Sequence, residues 1–230
     1  MKNKIVTATK YQLWENRTAL KVFYSVMIVI YTLNLLVCVL FDGSSNSSGQ
    51  EFISDIFLFV AGISTFGMEL RLYLQCGLDR KTLSISLFLS LLVLSAIMLA
   101  CDTVLWSLFR VLSNALEIDY GPSVAAMLFP EAGLPMQLLL HFCALTAASY
   151  VGLLIAAVFQ QIPRKLRWAY CVALPVCSLV LFIYAVESTA GKTLIDLLVG
   201  GPWVTVLVLI IVTAVCAGVS HLLTMRSYLR

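Results

Sequence analysis

The sequence predicts an all-α, polytopic membrane protein with six transmembrane helices, an N-terminal interfacial helix, and outer half-helices before the sixth span. Three observations carry this expectation. Of 230 residues, 61% are hydrophobic and 12% charged, about half the charged fraction of an ordinary soluble domain, and the mean hydropathy is strongly positive. Six apolar runs each approach the roughly 20 residues a helix needs to cross hydrocarbon. With the N-terminus placed in the cytoplasm, thirteen of the fifteen Lys and Arg residues fall on the inner side, leaving only Arg110 and Lys192 outside. Loops poor in Lys and Arg are the ones that translocate, so both termini are expected in the cytoplasm of a cell (plasma) membrane protein.

The spans consume most of the chain and leave no room for a sizeable soluble domain. The expected organisation is therefore an interfacial segment over 1–21, a six-span domain over 22–224, and a cytoplasmic tail over 225–230. Met1–Lys21 is basic, with Tyr11, Trp14 and Thr18 at helical spacing. Such a segment suits a helix lying in the membrane surface, with its lysines towards phosphate; a disordered basic tail is the other reading.

Val22–Phe41 is the first span. It is too long for the apolar core of a secretory signal, and no Ala-x-Ala-like site follows it. The polar loop Asp42–Gln50 precedes the second span, Phe52–Leu70. Leu83–Trp106 is the third span. In the long connection after it, Val111, Leu112, Ala115, Leu116 and Ile118 suggest a short amphipathic helix, and Val124–Phe129 is too short to cross. Leu134–Phe159 is the fourth span and Trp168–Val186 the fifth, with Pro175 a possible kink. Thr193–Val199 reads as a half-helix before the sixth span, Trp203–Leu223.

The fourth span carries Ala144, Ala148, Gly152 and Ala156, a small residue at every fourth position. In lipid such a stripe lets a neighbouring backbone approach closely, which predicts a packing seam with another span or subunit. Ala214 and Gly218 form a weaker pair in the sixth.

Few residues offer chemistry. The intramembrane polar candidates are Asp55, Glu69, Asp102 and His141. Asp55 and Asp102 fall near outer span ends and Glu69 near an inner end, beside Arg71. His141 admits two readings, a proton or substrate path and a helix-to-helix hydrogen bond. No set of carboxylates, histidines or serines is spaced as a catalytic site. The seven cysteines contain no CxxC pair and neither histidine stands at ligand spacing from one, so a metal site is not expected. Gly191-Lys192-Thr193 ends like a phosphate-binding loop, but the glycine required five residues earlier is Val186. The chain is thus expected to be no enzyme and to bind no nucleotide or other cofactor itself. Its short basic clusters beside apolar runs do not suggest nucleic acid.

Arg71–Thr82 separates the second and third spans. Within it, Leu74-Gln75-Cys76-Gly77-Leu78-Asp79-Arg80-Lys81-Thr82 resembles the LQ-x-G-x-[ST]-R-K turn in small permease subunits of bacterial ABC exporters of the type-two class. The expected architecture is similar too: a surface helix, six spans, a coupling helix between the second and third, and outer half-helices. The motif departs from the family at Asp79, where Ser or Thr is usual; Asp is an equally good helix cap.

The resemblance implies a permease that moves an apolar or amphipathic cargo, such as an antimicrobial peptide or a lipid. It implies a second permease subunit, identical or similar, and a separate cytosolic ABC ATPase that binds ATP and Mg, with membrane lipids around the pair. Gln75, Cys76, Gly77, Leu78, Asp79, Arg80 and Lys81 would couple this chain to the ATPase. Without the resemblance the stretch reads as an ordinary basic loop. A secondary transporter or channel, and a non-transporting membrane anchor or sensor, are the other functions the sequence allows.

Overall fold

The computed structural model describes residues 2–41, 51–75, 79–116, 122–163, 166, 167, 170 and 200–226, with backbone alone for 2, 3, 41, 66–75 and 226. The elements are α1 (Lys2–Phe41), α2 (Glu51–Gln75), α3 (Arg80–Ala115), α4 (Val124–Leu128), α5 (Leu134–Gln161) and α6 (Pro202–Arg226). Among the described residues all regular structure is helical.

Four helices are long and apolar enough to cross a membrane, namely α1, α3, α5 and α6. Of the other two predicted spans, 52–70 falls in α2, whose side chains are described only to Thr65. The fifth, with Pro175 and the half-helix after it, lies outside the described residues.

The helix ends follow local sequence. Gly133 stands at the N-cap of α5 with Pro at its start, where a missing N–H costs nothing. Ile162-Pro163 closes α5 because the residue before proline avoids helical backbone. Ser123 caps α4, its Oγ accepting from the Ala126 N–H at 3.1 Å. Asp79 holds the N-cap position of α3 with extended backbone, but its side chain makes no capping bond. The capping role expected of it is filled by backbone alone, its carbonyl accepting from Leu83 N–H at 2.9 Å.

α1 and α3 contain neither Gly nor Pro, and both run on where the sequence suggested a break. The amphipathic stretch from Val111 to Ala115 is the end of α3, not a separate helix. The N-terminus differs more. Residues 2–21 and 22–41 form one helix of 40 residues, about 60 Å long, and its first half stands upright in the bundle. Ala8 shares a cluster with Leu83, Leu87 and Leu91. Further along, the Tyr24 hydroxyl donates to the Met98 carbonyl at 3.2 Å and Tyr31 stacks on Phe109 at 4.8 Å. α1 therefore runs parallel to α3, with residues 8–24 beside 83–98. Nothing breaks the chain at Lys21, so the segment expected to lie in the membrane surface is the first half of α1, with Ala8, Thr9 and Gln12 buried at 4%, 6% and 0% exposure.

α5 is the central element, packing against α2, α3 and α6. At its crossing with α2, a Cβ on Gly152 would overlap the Phe59 carbonyl oxygen, and one on Gly62 would overlap the Ser149 carbonyl oxygen. The two backbones touch because neither helix has a side chain there. In α3, Ser86, Ser90 and Ser95 are buried and bond back to Leu83, Leu87 and Leu91 carbonyls, so they need no partner from another helix. α2, α5 and α6 run opposite to α1 and α3. We call the end holding the starts of α1 and α3 the near end, and the other the far end.

Candidate functional site

The far end holds a pocket of about 70 Å³ between α1, α2, α3, α4 and α5, room for a few water molecules. Its centre is Asp102, on α3. One carboxylate oxygen of Asp102 accepts from the Tyr24 hydroxyl of α1 at 3.0 Å. The other lies 3.3 Å from Nε2 of His141, on α5, and these two side chains are 13% and 12% exposed. Three helices thus meet through one carboxylate.

α2 adds two acids on one face. Glu51, its first residue, accepts from the Val124 backbone N–H of α4 at 3.0 Å. Burial raises its carboxyl above the ordinary glutamate value of 4.5, against the opposing pull of His141 and of the Val124 N–H. Asp55 lies one turn on, and its Oδ1 is buried with no hydrogen-bond partner among the described residues; the same holds for Nε1 of Trp106. Trp106 lines the pocket, and the Arg110 guanidinium lies 4.9 Å over its ring.

Three carboxyl groups around one imidazole form an environment that favours a cation or a bound proton. Nothing in it resembles an activated nucleophile, and among the described residues no group of three His, Cys, Asp or Glu could hold a metal ion. Of the predicted polar candidates, the structure brings together Asp55, Asp102 and His141; the side chain of Glu69 lies outside the described residues. Of the two readings of His141, the helix-to-helix bond is present. Tyr24, Glu51 and Trp106 were not legible as site residues. Glu51, Ser54 and Asp55 do recur at i, i+3 and i+4, a polar face entering an apolar helix, and that signal marks the site in retrospect.

The near end is held by three polar contacts. Arg80 donates from Nη1 to the Met225 carbonyl at 3.2 Å, Gln161 from Nε2 to the Leu223 carbonyl at 3.0 Å, and Ser84 Oγ lies 2.9 Å from His221 Nδ1. They clasp the start of α3, the end of α5 and the end of α6. Of the predicted coupling residues, Arg80 belongs to this clasp. Asp79 and Lys81 are exposed beside it, Gln75 ends α2 with its backbone described, and Cys76, Gly77 and Leu78 lie outside the described residues. In the predicted small-residue stripe, Gly152 and Ala156 are buried and Ala144 and Ala148 half-buried. Gly152 lies at the point where α5 and α2 touch backbone to backbone, opposite Gly62.

The fold and its two ends define a class: an all-helical bundle, with helices able to cross a membrane, that holds ionisable groups at one end and a polar clasp at the other. No protein-family model, no curated protein and no solved structure matches this chain.

Proposed function

We propose that this chain is the transmembrane permease subunit of an ATP-driven exporter, moved by separate cytosolic ATPase subunits, with its near end in the cytoplasm. The observation that carries the reading is the clasp. The turn that resembles a permease coupling element ends at Asp79 and Arg80, and Arg80 is bonded to the last turn of α6. A push on this turn reaches α3 directly and α6 through one hydrogen bond. The parallel course of α5 and α6 supports six spans, because spans separated by one further crossing run the same way. Amphipathic peptides or lipids suit the exposed apolar surface as cargo, and a second permease subunit would complete the translocation path.

The test uses Arg80→Glu and Lys81→Glu in the full chain reconstituted in membranes. Both variants should insert, since no span is altered. Both should lose association with the co-expressed ATPase and lose cargo-stimulated ATP hydrolysis. Wild-type association and turnover in both would show that the motor does not grip here, and the stretch would revert to an ordinary basic loop.

The far-end pocket favours a second reading, a secondary transporter. Ionisable groups inside a helical bundle mark proton or ion paths, and Asp102, His141, Asp55 and Glu51 form such a group. Transport by the purified chain alone, driven by a pH gradient with no ATPase present, would select this reading over the first.

A further inference from the structure

The charged face of α1 has no account in either reading. Lys10, Trp14, Arg17 and Lys21 are all exposed and fall within about 60° of arc at 3.6 residues per turn. The Arg17 guanidinium lies 4.5 Å over the Trp14 ring. Among the described residues the one ion pair is His141–Asp102, so none of these three cations has a carboxylate partner there.

The depth of this stripe makes it unusual. Ala8 is clustered with Leu83 and Leu87, and Leu13, Leu20 and Tyr24 pack against the cluster that holds Leu94 and Met98. Tyr24 bonds to Met98 and Asp102 and Tyr31 stacks on Phe109, so Lys21 is level with α3 between Leu94 and Leu99, roughly 16–24 Å from Leu83 at 1.5 Å per residue. With the third span opening at Leu83, as its apolar run sets it, that is well inside a hydrocarbon layer about 30 Å thick. At the same levels α3 presents Ile85, Leu89 and Leu92 outwards, each more than 40% exposed, as a lipid-facing surface would. Bare ammonium and guanidinium groups are expensive in hydrocarbon, and a lysine stem reaches only a few ångströms towards the interface.

We propose that Lys10, Trp14, Arg17 and Lys21 form a phospholipid-headgroup site that draws phosphates inward along α1 and thins the leaflet on the near side. Charge complementarity selects the occupant. A second copy meeting this face through a two-fold axis would set like charges against each other, and Glu15 lies outside the arc. A phosphate supplies the countercharge that no carboxylate among the described residues gives. With one face of its guanidinium on Trp14, Arg17 keeps its planar fork of donors free for phosphate oxygens, and the indole offers the aromatic anchor common at headgroup depth. This inference rests on the membrane reading and not on either transport reading.

The test keeps Trp14 as the single tryptophan, with Trp106, Trp168 and Trp203 changed to Phe, in vesicles of phosphatidylcholine and phosphatidylglycerol. Spin-labelled phospholipids carry the quencher either on the headgroup or at mid-chain. In parallel, Ala8→Cys with Leu87→Cys in a cysteine-free chain reports by thiol cross-linking whether the first half of α1 is upright. The expected result is a cross-link, together with stronger quenching of Trp14 by the headgroup label than by the mid-chain label. Lys10→Gln, Arg17→Gln and Lys21→Gln together should reverse that order while leaving the cross-link. Stronger mid-chain quenching in the unmodified stripe overturns the proposal. Quenching by neither label also overturns it, and shows that a protein chain covers the stripe. Loss of the cross-link overturns it by removing the upright geometry. Failure of the chain to float with the vesicles would instead overturn the membrane reading on which it rests.

Discussion

Adding one methyl group at Gly152 should loosen the bundle at its tightest point. In isolation Gly→Ala strengthens a helix by about 1 kcal/mol. Here the new Cβ would overlap the Phe59 carbonyl oxygen and press on the Phe59 carbonyl carbon and Ile63 nitrogen. These are backbone atoms, so no rotamer change relieves the overlap, and α2 itself must retreat. Overpacking typically costs about 1–3 kcal/mol, and a rigid backbone obstacle places Gly152→Ala towards the upper end. The net expectation is a loss of about 1–2 kcal/mol, with Gly152→Leu worse. Gly62→Ala meets the Ser149 carbonyl oxygen and the Leu153 nitrogen and should behave alike. The double variant should lose less than the sum, because one retreat of α2 relieves both overlaps. Gly218→Ala is the control: nothing lies within 4 Å of its Cβ position, so it should be neutral or gain up to about 1 kcal/mol. Leu153→Ala is no control, since Leu153 is 1% exposed in the core. Reversible unfolding in bicelles measures all of these. Equal stability of Gly152→Ala, Gly62→Ala and Gly218→Ala would refute the close crossing.

Removing the Tyr24 hydroxyl with Tyr24→Phe deletes its bonds to Met98 and Asp102, and should cost about 0.6 kcal/mol and at most about 1.7, the range found for hydrogen bonds between membrane helices. Asp102→Leu strips His141 of its partner and leaves the Tyr24 hydroxyl only Met98, and should cost roughly 1–3 kcal/mol in the same unfolding assay, because a buried polar group is left unsatisfied. Glu51 sets a pH dependence. Its folded carboxyl binds its proton more tightly than the unfolded one, so its contribution is fully present below the ordinary value of 4.5 and is lost as pH rises through the raised folded value. Stability should therefore fall with pH just above 4.5, and Glu51→Gln should flatten that slope; an unchanged slope would show that Glu51 is not buried.

Helix content was legible in the sequence because apolar runs of the right length admit little else in lipid. Depth and register were not. The division of α1 at Lys21 followed composition, polar before and apolar after, yet composition does not break a helix and no Gly or Pro does so there. The charges of the polar half of α1 suggest a membrane-surface segment, and they do not reveal the face of Ala8, Thr9 and Gln12 that it packs into the bundle. The stripe on α5 was legible as a close contact but not as a pairing. Gly62 belongs to no four-residue repeat of small residues in α2, where Ala61 adjoins it and Gly67 follows, and only the crossing shows that it answers Gly152. The far-end site was half legible: ionisable residues in apolar runs stand out singly, but their convergence depends on α3 and α5 running antiparallel in one particular register.

That register also ties the two ends of the molecule together. α3 begins at Arg80 in the clasp and carries Asp102 to the pocket, about 33 Å away at 1.5 Å per residue, with no Gly or Pro between them. α5 begins near His141 and ends at Gln161 in the clasp. Each is an unbroken helix, and helices bend sharply only at identifiable faults, so each transmits axial displacement over its length. Because they run in opposite directions, any slide of one along the other acts directly on the 3.3 Å contact between Asp102 and His141. Separation of these two groups leaves the imidazole unpaired and Asp102 with the Tyr24 hydroxyl alone in a largely apolar bundle, a costly state unless water or a ligand enters the pocket. Under the permease reading proposed above, a force applied at the near end would reach the far end as a change in what the pocket must bind. An ATPase pushing on Arg80 would alter the proton or cation affinity of the pocket, and a proton or cation bound in the pocket would alter the clasp by the same free energy.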